Sequence, residues 1–434
     1  MAGDQLYYSL VLISFIFLLV YFRNFVSWFI ILLFYDGLFA YYGSTVWNSY
    51  KFMLPFFAVF IAVRAQAFSK KNLFNQQKLL WIFLIFSTFF FFSAILNNDY
   101  LTLTLNQYSK YFLFLASFFI IKRLILNQTK LNYQVKLLVY LLIIQGVLSV
   151  IKFFLFGVRE SVIGTVAYIG GAAGTVLPIL GFVFLWAIRQ GKLNIKDWVI
   201  VILLLFIGFG SMKRAIWFIM PVVVFLFMQY IPQKRYTRRT LIYIPVIVLT
   251  FYIGIRLNPT LNPESDYWGK FDLNYAYTYA KKYSFGDEEN TSEGVGRVGG
   301  TYNLIKSFFQ NSWTSNTLFG FGLKEIYATS SEEFDAAKYG INHKGSATGI
   351  FQSYISGGVF ALITTLLLAL TVILYVQNAR IRIALLAVFL WEYLFYTGII
   401  LRTPSLSFLL VFCIVYLEHM NRTRSLSYGL NKVG

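Results

Sequence analysis

Leu79–Leu96 reads LLWIFLIFSTFFFFSAIL, a run with no charged side chain. As an α-helix it would rise ~27 Å, close to the ~30 Å hydrocarbon core of a bilayer. It is too long for a single strand and shows no polar–apolar alternation. Comparable runs recur along the chain, at approximately 6–22, 25–43, 52–63, 103–121, 137–156, 166–188, 198–210, 215–231, 240–256, 348–376, 383–400 and 405–418. Hydropathy thus gives about thirteen spans, within a range of about 11 to 14. Inside lipid every backbone polar group needs an internal partner, which leaves a helical bundle or a closed barrel. Continuous rather than alternating runs select the bundle.

The expected fold is therefore an all-α polytopic membrane protein. Residues 1–256 hold the first ten helices, 257–345 form one large connection, 346–420 hold the last three helices, and 421–434 are a tail. Composition agrees: 58% of the residues are hydrophobic and 13% charged, whereas soluble domains carry about 25% charged residues. The first run, Leu6–Phe22, lacks a basic start and an A-x-A-like end, so it is expected to be a retained helix rather than a signal peptide. The lone cysteine, Cys413, excludes an intramolecular disulfide and a cysteine-based metal cage.

A net charge of +19 would suit a nucleic-acid partner, but its distribution argues against one. Alternate short loops hold the excess: Lys70, Lys71 and Lys78; Lys122, Arg123, Lys130 and Lys136; Arg189, Lys192 and Lys196; Lys234, Arg235, Arg238 and Arg239; Arg380 and Arg382; and the tail with Arg422 and Arg424. Cytoplasmic loops retain positive charge, so the pattern reads as topology, with the N-terminus outside and the C-terminus inside. The connection Leu257–Gly345 breaks the pattern, with eleven acidic and eight basic residues and many aromatics, and parity puts it outside. A connection of this length is expected to fold over the bundle and carry function, with Gly300–Phe309 as a short amphipathic helix.

Five cations fall on the outer side against the rule: Arg159, Lys213, Arg214, Arg297 and Arg402. Lys213 and Arg214 sit in a short connection between two apolar runs, where a guanidinium needs anionic or carbonyl partners. Arginine's planar fork matches phosphate bidentately, so arginines converging from separate loops would hold a diphosphate. Asp36 and Glu392 lie within apolar runs, and Glu392 is placed to orient an arginine. His343, just before the eleventh run, is a candidate general base, whereas His419 at the cytoplasmic end has no such placement. The carboxylate pairs in the large connection read as solvated rather than metal-binding, and no phosphate-loop or dinucleotide fingerprint occurs.

The pattern Gly296-Arg297 followed by VGGTYNLIKSFF, and then Leu318-Phe319-Gly320-Phe321-Gly322-Leu323, resembles the O-antigen polymerase and O-antigen ligase superfamily. In that family a G-R pair, an amphipathic helix and an L-F-G-x-G element occupy a large outer loop. Ser211-Met212-Lys213-Arg214-Ala215 is similar to its S-R-G/A element, with one residue inserted. Phe351-Gln352-Ser353-Tyr354-Ile355-Ser356-Gly357-Gly358-Val359 is similar to its helix opening after the loop. The resemblance covers the second half of the chain. It implies a GT-C (type B)-like bundle and a metal-independent glycosyltransferase without cofactor. The site would face the periplasm of a bacterial inner membrane.

The implied partners are undecaprenyl-diphosphate-linked donor and acceptor glycans, the bilayer, and a chain-length regulator protein. Arg214 and Arg297 would bind the diphosphate, helped by Lys213 and Arg159, while His343 or Glu293 would take the acceptor proton. The family's histidine stands directly before the helix opening, near Ala347 here, whereas His343 lies upstream. That departure favours polymerase over ligase. The alternatives are an O-antigen ligase acting on lipid A core and a lipid-linked oligosaccharide flippase.

Overall fold

A computed structural model of the chain describes residues 2–67, 76–157, 164–166, 172–211, 213–230, 239–258, 261–262, 268–285, 297–310, 313–327 and 348–430. The described residues are overwhelmingly helical, with no strand among them. In chain order the first helices are α1 (Ala2–Tyr21), α2 (Phe25–Phe34), α3 (Asp36–Tyr41), α4 (Ser44–Arg64), α5 (Gln77–Leu96), α6 (Leu101–Leu124) and α7 (Gln128–Phe156). Then come α8 (Ala173–Ile188), α9 (Ile195–Gly210), α10 (Arg214–Phe225, continued by a π turn Leu226–Tyr230) and α11 (Arg239–Leu257). Short helices α12 (Leu273–Phe285), α13 (Arg297–Gln310), α14 (Ser315–Phe319) and α15 (Lys324–Tyr327) follow. The last set is α16 (Gly349–Ile373), α17 (Ala379–Leu390, continued by a π turn Trp391–Phe395), α18 (Ile399–Arg402) and α19 (Pro404–Leu430).

Among the described residues six helical stretches are long and apolar enough to cross a membrane: Gly3–Tyr21, Ser44–Arg64, Gln77–Leu96, Gln128–Phe156, Gly349–Ile373 and Pro404–Thr423. Shorter apolar helices lie between them, among them Phe25–Phe34, Ala173–Ile188 and Arg214–Met228. The outward faces are as apolar as the core. Ile13, Ile16 and Phe17 of α1, Phe52, Met53 and Phe56 of α4, and Trp81, Leu84 and Ile85 of α5 are all exposed. A surface of that kind has lipid, not water, as its solvent.

Helix α8 is the axis of the bundle: every residue from Ala173 to Ala187 is buried, packed by α9, α10 and α19. Helix α16 lies along α5, α19 along α6, and α9 along α7. Three of the expected continuous runs are interrupted. The run 25–43 breaks at Tyr35, where Gly37 gives its N–H to Thr165 O (2.9 Å) rather than to its own helix. The run 348–376 kinks at Gly357 and Gly358, the latter at φ 64°. The run 383–400 ends in the π turn, an extended Tyr396 and Gly398 at φ 64° before α18 begins. Each break comes from a partner distant in sequence, to which a hydropathy window is blind.

Candidate functional site

The two glycine-rich stretches singled out in sequence meet backbone to backbone. Helix α14 opens with a capping box between Thr314 and Thr317 and stops at Gly320, φ 76°. Phe321 N and Gly322 N both donate to Ile355 O, at 2.8 and 3.2 Å. A Cβ on Gly320 would come within 2.5 Å of Gly357 N, and one on Gly358 within 2.4 Å of Leu318 O. Both positions also have φ in the left-handed region that side chains avoid. Glycine at each is thus required twice, by conformation and by contact.

Helix α5 and the turn after it clamp this junction. Ser93 Oγ donates to Phe319 O (2.5 Å) and lies 3.1 Å from Ser356 O. Asp99 accepts from Leu323 N (2.8 Å) on one oxygen and from Lys324 N (3.0 Å) on the other, holding the start of α15. Burial pushes the Asp99 carboxyl above the usual carboxylate range, and those N–H donors pull it back.

Helix α13, which begins at Arg297, docks on the opening of α16. Leu304 packs with Phe351, Tyr354 and Ile355, and Phe321 covers the cluster. Thr301, one helical turn after Arg297, shares a hydrogen bond of 2.6 Å with Thr348, the N-cap of α16. Helix α12 packs on α13, and Ala276 of α12 lies in an apolar cluster with Ile255 of α11 and Phe218 of α10. The Arg214 guanidinium stacks on Tyr279 of α12, 4.6 Å from the ring centroid. Lys213 lies beside Gly174 at the start of α8. From there Thr175 reaches the Tyr396 hydroxyl at 3.2 Å, and Tyr396 O accepts from Gly349 N at 3.1 Å. Arg214 and the helix begun by Arg297 are therefore both bound to α12, at one end of the bundle. The Arg297 side chain, and Arg159, Glu293 and His343, lie outside the described residues.

A narrow cleft opens beside this junction, between α6, α16 and α18. Gln107, Tyr111, Gln352, Ser353, Tyr393 and Arg402 line it. Arg402 donates through Nη1 to Gln352 Oε1, and Tyr393 donates its hydroxyl to Ser353 Oγ (2.7 Å). Glu392, fully buried, accepts from Ile399 N (2.5 Å) and Ile400 N (3.4 Å). It thus caps α18, the helix that carries Arg402. Lys110 donates to Gln107 Oε1 at 2.7 Å.

Amides, hydroxyls, aromatic faces and a guanidinium form a lining suited to sugar hydroxyls and an anionic group. Sequence reading noted Arg402 without assigning it and passed over Gln107 and Lys110. Their signal was present in polar residues interrupting the apolar run after Leu101. Arg256, at the same end, is a contrast. Its Nε donates to Gly269 O (2.6 Å), its Nη1 to Tyr252 (2.7 Å), and its plane lies over Trp268. These contacts make Arg256 a structural tie. No group of three His, Cys, Asp or Glu among the described residues could hold a metal ion. Comparison with family models and with curated proteins finds no match to this chain.

Proposed function

We propose that the chain is a bacterial inner-membrane glycosyltransferase. It would transfer a growing glycan from undecaprenyl diphosphate onto a second lipid-linked repeat unit, as an O-antigen or related surface-polysaccharide polymerase. The observation that carries this reading is the convergence of four separate stretches. Ser211 with Lys213 and Arg214, the helix from Arg297, Leu318–Leu323 and Phe351–Val359 are distant in sequence and lie at one end of one bundle. The large connection and the basic loops divide between opposite ends if the chain crosses the membrane about thirteen times. In this reading the site faces the periplasm.

A lipid diphosphate is already a good leaving group, so the protein's main task is to neutralise charge as the glycosidic C–O bond breaks. Fixed guanidiniums in a water-poor site do this, each removed donor costing about 10²–10³ in rate. Arg214 and Arg297 hold the diphosphate, with Lys213 and Arg159 beside them, and Arg402 faces the cleft where the acceptor sugar lies. His343 or Glu293 takes the acceptor proton, and no metal is required. Replacing Arg214 or Arg297 with alanine should leave single-repeat lipopolysaccharide on a gel while membrane protein levels stay normal. Full-length polymer from both variants would remove the assignment. Bare core without repeats would make the enzyme a ligase.

A further inference from the structure

At the other end of the bundle, a cavity of about 940 Å³ opens between α1, α2, α4 and α7. Arg23, Arg64 and Lys130 stand around it, and no acidic side chain among the described residues lines it. Arg23 spends its Nε on Val20 O (2.9 Å), and Arg64 lies over the Phe25 ring at 4.6 Å, so both forks keep donors for an anion. The polar floor is already satisfied: Asn24 Oδ1 accepts from Ser27 N (2.8 Å), and Ser27 Oγ donates to Gln134 (3.1 Å). Asn24 caps α2 and Asn127 caps α7, with Lys130 in the first turn. Two helix N-termini thus add their positive ends to the three cations. The remaining wall is apolar, with Phe25, Ile61 and Trp28, whose indole N–H is spent on Leu19 O (3.0 Å).

We infer that this cavity binds an anionic phospholipid of the adjoining leaflet. The phosphate would sit among Arg23, Arg64 and Lys130, and the acyl chains would run along Phe25, Trp28 and Ile61. A free anion would leave the apolar wall unused, and a zwitterionic lipid would bring its own cation to a site that already holds three. Helices α1, α2, α4 and α7 all line the cavity, so the lipid acts as a further strut between them. The inference stands independently of the catalytic reading.

The test uses the full chain in detergent, titrated with phosphatidylglycerol, phosphatidylcholine or inorganic phosphate. Bound lipid is read by native mass spectrometry and by unfolding temperature. Phosphatidylglycerol should bind and raise the unfolding temperature, whereas phosphatidylcholine and phosphate should do neither. The double variant Arg23→Gln/Arg64→Gln should lose roughly tenfold or more in phosphatidylglycerol affinity. Lys192→Gln/Lys196→Gln, which removes as much charge elsewhere, should lose none. Lys130→Gln alone, an exposed change that threatens no packing, should lose about fivefold. Equal binding of phosphatidylcholine, equal protection by phosphate, or an equal loss in the Lys192/Lys196 control would overturn the inference.

Discussion

Arg402 closes a four-residue helix whose first N–H groups are tied to the buried carboxylate of Glu392. The guanidinium is therefore held by a fixed backbone segment, not by a flexible loop, which suits a charge that must be in place before the reaction begins. Arg402→Ala should slow polymer formation about 10²–10³-fold, measured as glycan per unit time in vesicles containing the purified chain. An unchanged rate would separate the cleft from the chemistry. Asp99→Ala tests a different role. It removes the acceptor of two part-buried donors, Leu323 N and Lys324 N, a loss of about 1 kcal/mol for each hydrogen bond. The expected outcome is a lower unfolding temperature and earlier proteolysis after α14, and a variant as resistant as the parent would contradict the clamp. Arg214 and Arg402 were both visible in sequence as charges on the wrong side of the topology. Gln352 was visible only as part of the helix opening; its pairing with Arg402 was not, because the two lie fifty residues apart and nothing local marks the contact.

Among the elements, the helices themselves were legible, because a run such as Leu79–Leu96 has few other ways to satisfy its backbone in lipid. The breaks were not. Hydropathy sums over a window, whereas Tyr35, Gly358 and Gly398 leave the helix because Thr165, Leu318 and Gly349 press against the chain there. The glycines of Leu318–Leu323 and of Phe351–Val359 were recognised separately, and their meeting is a tertiary fact. Gly358→Ala should be strongly disruptive. It combines a left-handed φ, which costs about 1–2 kcal/mol for a side chain, with a backbone overlap that no rotamer relieves. The variant should show loss of polymer together with increased protease sensitivity between α14 and α16. Gly157→Ala is the matched control, having a positive φ but open space around it, and it should cost only the conformational part. Equal behaviour of the two would mean that the junction is not tightly packed.

For the whole molecule, the proposed sidedness makes a labelling prediction that the native chain favours. Its one cysteine, Cys413, is fully buried and should stay silent to a membrane-impermeant maleimide in intact cells. Lys281→Cys, exposed on α12, should label from outside, while Lys192→Cys, exposed after α8, should label only once the membrane is opened. The reverse pattern would invert the bundle and remove the periplasmic site.

The most direct test of the central claim is to reconstitute the purified chain in liposomes with one undecaprenyl-diphosphate-linked repeat unit, without metal, and to resolve the glycans by size. A ladder of longer lipid-linked glycans, absent with Arg214→Ala, is the expected result. Unchanged repeat units with folded, correctly oriented protein would contradict the account.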